Sequence, residues 1–174
     1  MIQIVKHWTE AELKQELSKL TIICDTREKV FDHIESFFKK GKIPYKVRHI
    51  ETGDYSAMLG DYTLENDVVI ERKANLDEIC LNLTADRDRF DREFLRAKAN
   101  GIKVFLIVEN ASWSKVFLGD YRSKFSVKSL VASLLSWQVR YNITIIFCEP
   151  EQTPKLIYNI LHYYARELLL YGNG

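Results

Sequence analysis

Long apolar runs are missing from this chain. No stretch approaches the roughly 18 unbroken apolar residues that a membrane span needs, and the start, MIQIVKHWTE, lacks the apolar centre of a signal peptide. The protein is therefore expected in the cytoplasm or at the nucleoid, neither secreted nor membrane-bound. Cysteine is scarce: Cys24, Cys80 and Cys148 are odd in number and have no CxxC or Cys-His spacing. Two of them sit in apolar runs, so all three read as reduced core residues rather than ligands. A surplus of charge is also lacking, because 25 Lys+Arg stand against 24 Asp+Glu. That excludes the strongly basic class of nucleic-acid-binding domain and requires any polyanion site to be local. There is no linker, no low-complexity tract and no repeat beyond the triplet Gly-Asp-Tyr, which occurs at 53–55, 60–62 and 119–121.

What remains is the composition of an ordinary folded protein: 174 residues, 47% hydrophobic and 28% charged, a length that suits one domain over 1–174. TEAELKQELSKL predicts a helix, with Thr9 as N-cap, Glu12 three residues on, and Leu13, Leu17 and Leu20 at helical spacing. LTIICD (20–25) predicts a buried strand ending in Asp-Thr-Arg-Glu. VFDHIESFFKKG predicts an amphipathic helix with Val30, Phe31, Ile34, Phe37 and Phe38 on its apolar side, closed by Gly41. Alternation over 44–50 and 55–73 predicts a strand and a hairpin, and 75–99 a helix ended by Asn100-Gly101. IKVFLIVE (102–109) predicts the central strand. Ser126 caps a helix to 142 that leads into the strand ITIIFC, and Thr153-Pro154 opens a last helix to about Tyr171. Strands alternate with helices, which predicts an α/β fold with a central mixed β-sheet flanked by helices.

Chemistry concentrates in VVIERKANLD, 68–77. Side chains alternate along a strand, so Glu71 and Lys73 share one face and Arg72 takes the other. An acid and an amine so placed suit phosphodiester hydrolysis. The carboxylate would hold a divalent metal, and the amine would stand beside the attacking water and the charge developing at phosphorus. One carboxylate binds Mg²⁺ weakly, so a second acid is needed, with Asp25, Asp54, Asp61 and Asp77 as candidates. Alone, Glu-x-Lys reads as a strand-end ion pair. Asp25-Thr-Arg-Glu28, Gly53-Asp-Tyr55, Glu71-Arg-Lys73 and Asp77 are, however, four polar clusters, each at the terminus of an apolar element.

These motifs resemble the nuclease domain of the XPF-type structure-specific endonucleases, whose signature is GD, a spacer, then ERK, three residues and D. The likeness continues through Asp88-Arg-Phe-Asp-Arg-Glu93 and Ser133-Leu-Leu-Ser-Trp-Gln-Val-Arg-Tyr141, over about 20–150. It implies a restriction-endonuclease-like fold that cleaves DNA with Mg²⁺ or Mn²⁺ and needs no small-molecule cofactor. Asp54 and Glu71 would be the main metal ligands, with Asp25 completing the acidic cluster. Lys73 would position or activate the water, and Arg27 and Arg72 would steer phosphate or brace the acids. Asp77 would support Lys73 or a second metal, or else be a helix-start carboxylate near a positive dipole end.

The spacer holds an extra Gly-Asp-Tyr, which implies a longer hairpin, and the tandem helix-hairpin-helix module of many family members is not in this sequence. DNA binding, branched or duplex, would then rest on the nuclease domain. One candidate is KKGKIPYKVRH (39–49), with Lys39, Lys40, Lys42, Lys46 and Arg48 and no acid; its alternative reading is a solvated loop and a lysine-protected strand edge. Arg87, Arg89, Arg92 and Arg96 are a second candidate, or else one side of ion pairs on an exposed helix. The family also implies a homodimer, with Leu134, Trp137 and Tyr141 as interface residues or, alternatively, buried core. Of the three triplets only the first precedes an ERK strand. Asp61 reads as a hairpin turn and Asp120 as local turn chemistry.

Overall fold

The computed structural model describes residues 7–29 and 32–172; the expected apolar positions Val30 and Phe31 lie outside them. Helix α1 (Glu10–Leu17) begins with a capping box, Thr9 and Glu12 each accepting from the other's backbone N–H. Strand β1 (Leu20–Cys24) is followed by α2 (Asp32–Gly41), which crosses to β2 (Tyr45–Val47), parallel to β1 at the sheet edge. Strand β3 (Tyr55–Leu59) runs antiparallel along the other side of β1. A two-residue turn, Gly60-Asp61, leads to β4 (Tyr62–Thr63), which pairs with the far end of β3. The near end of β3 pairs with β5 (Val68–Lys73) through Tyr55 and Ile70. Beyond β5, β6 (Lys103–Glu109) and β7 (Thr144–Cys148) add in parallel, giving the order β2-β1-β3-β5-β6-β7. Strands β1, β2, β5, β6 and β7 thus point one way and β3 the other. Their C-terminal ends and the N-terminus of β3 share one edge, and that edge receives Asp25, Asp54, Glu71 to Lys73, and Glu109.

The predicted helix over 75–99 is two helices, α3 (Leu76–Thr84) and α4 (Arg87–Ala99). The Thr84 hydroxyl donates to the Cys80 carbonyl at 2.9 Å, and Asp86 leaves helical geometry at φ −124°. Helix α5 (Trp113–Leu118), unforeseen in the sequence, is capped by Ser112 and closed by Gly119 at φ 69°. Helix α6 (Val127–Tyr141) starts at its Ser126 cap, and α7 (Thr153–Tyr171) starts where expected with Pro154 in its first turn, although Thr153 is itself helical and Gln152, with no side-chain cap bond, precedes it.

Two cores follow from strand alternation. In β5, Val68 and Ile70 pack with Leu13, Leu17, Ile34, Phe38, Ile157 and Leu161 of α1, α2 and α7. Val69 faces the other way, toward α3, α4, α5 and α6. All three cysteines are buried and free. Leu134, Trp137 and Tyr141 are buried in the second core, which corrects their reading as interface residues. The Trp137 ring lies 5.2 Å from Phe90 and 5.4 Å from Phe94, and its Nε1 donates to Asp91 Oδ1 at 2.9 Å. Helical spacing identified the stripe but not the side it faces. What α6 turns outward is Leu135 and Val139, 47% and 85% exposed. No helix among the described residues is long and apolar enough to cross a membrane.

Candidate active site

Asp54 stands just before β3 because Gly53 lets the chain turn there. Gly53 has φ +81°, and a Cβ on it would lie 2.9 Å from Val69 Cβ. Two backbone bonds fix the residue, Asp54 N–H to the Ile70 carbonyl and Asp25 N–H to the Asp54 carbonyl, both 2.8 Å. Its side chain accepts at Oδ2 from the Arg72 N–H at 2.8 Å. Burial, then the neighbouring Glu71 carboxylate, raises the Asp54 carboxyl well above the ordinary carboxylate range. Lys73 Nζ donates to Glu71 Oε1 at 2.7 Å and rests 5.1 Å from the centre of the Phe90 ring. Burial works to lower the Lys73 ammonium, but Glu71 outweighs it and the net shift is upward, so Lys73 is a firmly held cation.

The structure brings Asp54, Glu71 and Lys73 together and sets the other candidates around them. Asp25 is 1% exposed. Its Oδ1 accepts from the backbone N–H (2.8 Å) and Nε (2.7 Å) of Arg27, and its Oδ2 from the Ile50 N–H at 2.5 Å. Both oxygens are thus engaged in holding the loops that lead into and out of the site. Arg27 Nη2 donates to the Ile50 carbonyl at 2.8 Å while most of its side chain stays exposed. Arg72 projects to the opposite face of β5, as alternation requires. There it forms a two-pronged pair with Glu109, Nε to Oε1 at 2.8 Å and Nη2 to Oε2 at 2.7 Å, and Nη1 reaches Glu28 at 3.4 Å. His33 Nε2 lies 3.2 Å from Glu109 Oε1. Burial pushes the Glu109 carboxyl up, but its bonds to Arg72 hold it below the usual range. This network braces the backbone of Arg72, whose N–H holds Asp54. Sequence reading missed Glu109 and His33, although an acid ending the strongest strand at this edge was a signal.

Asp77 stands in the first turn of α3 and does not join the acids. Its Oδ1 accepts from the backbone N–H groups of Arg122 (2.9 Å) and Ser123 (2.8 Å), and its Oδ2 from Arg122 Nε at 3.3 Å. The basic residues are dispersed. Helix α2 carries Lys39 and Lys40, and the turn after it Lys42, to the edge of the sheet opposite the acids, and Lys39 pairs with Glu35 at 3.0 Å. Lys46 lies within the edge strand β2, and Arg48, just past it, pairs with Glu65. At the start of α4, Arg89 lies 3.6 Å from Asp86, Arg87 lies 3.8 Å from Asp91, and further along the helix Arg96 lies 3.9 Å from Glu51. Asp61 and Asp120 are exposed in turns.

Among the described residues no three His, Cys, Asp or Glu side chains form a metal-ligating group, so the expected three-acid set with Asp25 is not assembled. Asp54 and Glu71 by themselves fit one divalent ion. They are two neighbouring, partly buried carboxylates; burial, then Glu71, raises the Asp54 carboxyl, and a bound cation would relieve both. Mg²⁺ is commonly held by one or two carboxylates with water completing its shell.

No curated protein matches the chain. Two solved structures are similar over 84% of it: XPF from Aeropyrum pernix, at 21% identity and a TM-score of 0.62, and XPF from Aeropyrum pernix in complex with DNA, at 19% and 0.61. The chain spans 62% and 65% of the length of those two chains. The fold is the restriction-endonuclease-like arrangement expected, a central mixed sheet flanked by helices. The ERCC4 domain model matches residues 24–160, from the end of β1 into α7 and across every element that builds the site, and the chain belongs to the ERCC4 domain family.

Proposed function

We propose that the chain is a divalent-metal-dependent endonuclease that hydrolyses phosphodiester bonds in DNA, with branched or flap structures as its targets. The observation that carries this reading is the convergence of Asp54, Glu71 and Lys73 from two neighbouring strands at one sheet edge. Membership of the ERCC4 domain family and likeness to XPF from Aeropyrum pernix, solved in complex with DNA, support it. Asp54 and Glu71 would hold Mg²⁺ or Mn²⁺, which when bound supplies a Lewis acid and lowers the pKa of water. Lys73, kept protonated by Glu71, serves the negative charge that grows on the phosphate oxygens rather than acting as a proton acceptor. Arg72 and Glu109 hold the Asp54 carboxylate in place from beneath, and Asp25 and Arg27 hold the flanking loops. A homodimer would use the outward side of α6, where Leu135 and Val139 are exposed.

The test is incubation with end-labelled flap, fork, Holliday-junction, duplex and single-stranded DNA in Mg²⁺, in Mn²⁺ and in chelator. Metal-dependent cutting, strongest on the branched substrates, is expected. Cutting that persists in chelator would remove the metal mechanism, and folded protein that binds DNA but cuts nothing would leave a binding module.

A further inference from the structure

The use of the Asp77 carboxylate points to a function for the segment it grips. Residues 119–126 join α5 to α6, and they are fixed along their length. Gly119 closes α5, the Tyr121 hydroxyl donates to the Phe125 carbonyl at 2.9 Å, and Ser126 caps α6. Asp77 clamps the middle through three hydrogen bonds to Arg122 and Ser123. Because α5 follows β6 and α6 precedes the parallel β7, this segment lies at the same edge as the acids. Asn110, just after β6, ties this region to the end of β5 through Nδ2 to the Ala74 carbonyl at 3.1 Å, and Lys115 Nζ of α5 donates to the Asn110 carbonyl at 3.0 Å.

The segment displays cations. The Arg122 side chain is 90% exposed even while its Nε touches Asp77. Lys124 and, in the first turn of α6, Lys128 are exposed, with no ion pair among the described residues. Asp77 is four residues past Lys73, so the two Cα atoms are at most about 13 Å apart at ~3.3 Å per residue. A duplex carries one phosphate per strand for each ~3.4 Å of axis, so Asp77 stands within the span of about four nucleotides of Lys73, and Arg122, bonded to Asp77, is held beside that stretch. The acids themselves repel a polyanion, and Arg27 supplies a cation on the β1 side. Lys39, Lys40 and Lys42, at the opposite edge, cannot serve this stretch.

We infer that Arg122, Lys124 and Lys128 form the phosphate-backbone contact of the site, and that Asp77 is a positioning residue that holds them there. This rests on the DNA-nuclease reading. The test is the Kd for fluorescein-labelled DNA by anisotropy across a salt series in chelator. In Arg122→Ala/Lys124→Ala the slope of log affinity on log salt should fall by about two, at ~0.9 per phosphate contact, with Kd raised about tenfold. That loss should exceed the one in Lys39→Ala/Lys40→Ala/Lys42→Ala. Asp77→Ala should weaken binding similarly, and Asp77→Asn, whose amide oxygen still accepts from both N–H groups, should recover most of it. If Arg122→Ala/Lys124→Ala keeps the wild-type Kd and slope, or if the triple lysine variant loses more, the inference is overturned and the nuclease reading stands. If the wild type itself shows no salt-dependent DNA binding, that reading fails and takes the inference with it.

Discussion

Asp54 holds its proton more tightly folded than unfolded, because burial and the Glu71 carboxylate both raise its pKa. Between the ordinary carboxylate value and the raised one, the folded chain keeps a proton that the unfolded chain has lost, so metal-free stability falls as pH rises through that window. Asp54→Asn removes this term. In chelator at neutral pH it should melt a few °C above wild type, since ~1 kcal/mol corresponds to roughly 2–4 °C for a chain of this size. Saturating Mg²⁺ should raise the wild-type melting temperature by mass action and leave Asp54→Asn unmoved. Calorimetry checks both, and a wild type indifferent to Mg²⁺ would contradict the ligand assignment. At this scale the site was partly legible. Alternation alone put Glu71 and Lys73 on one face and Arg72 on the other. Glu109 escaped because it lies 37 residues from Arg72, and only the parallel register of β5 and β6 brings the two together.

The turn into β3 decides whether Asp54 faces Glu71. Two glycines with positive φ flank this strand, and their surroundings separate them. A methyl on Gly53 collides with Val69, whereas one on Gly60 meets only the Lys19 side chain at 3.8 Å. Gly53→Ala should therefore cost more than Gly60→Ala, by about 1 kcal/mol or more beyond the shared backbone strain. Urea unfolding of the two variants side by side measures this, and equal losses would argue against close approach at Gly53. Long elements with marked starts could be read from the sequence: the caps Thr9 with Glu12 and Ser126, and proline in the first turn at Thr153-Pro154, each open a helix where expected. Helix α5 could not, since six residues are too few for periodicity. The break between α3 and α4 was hidden too, because helix-compatible residues continue through Ala85 and Asp86, and the Thr84 hydroxyl ends the helix locally.

Across the whole molecule, the expected assembly depends on which side of α6 is free. The aromatic stripe of Trp137 and Tyr141 closes over Phe94 inside the chain, leaving Leu135 and Val139 outside. Charged substitutions there, Leu135→Asp with Val139→Asp, should shift a dimer to monomer in sedimentation velocity while leaving the fold intact by circular dichroism. Dimers that survive the double variant would move the interface elsewhere. Alternating strands and helices foreshadowed the α/β class but not the strand order: 102–109, expected at the centre of the sheet, is β6, next to the edge strand β7. That one edge collects Asp25, Asp54, Glu71 and Glu109 follows from β3 running against its neighbours, which no local pattern announces. Three Gly-Asp-Tyr triplets look alike in sequence, and the proposed chemistry uses only the aspartate of the first. The direct measurement is the rate of Mg²⁺-dependent cleavage of one labelled branched DNA by wild type, Asp54→Ala and Asp61→Ala. Asp54→Ala should lose at least about a hundredfold, while Asp61→Ala stays within about twofold of wild type. Equal loss in both, or cleavage undiminished in Asp54→Ala, would contradict it.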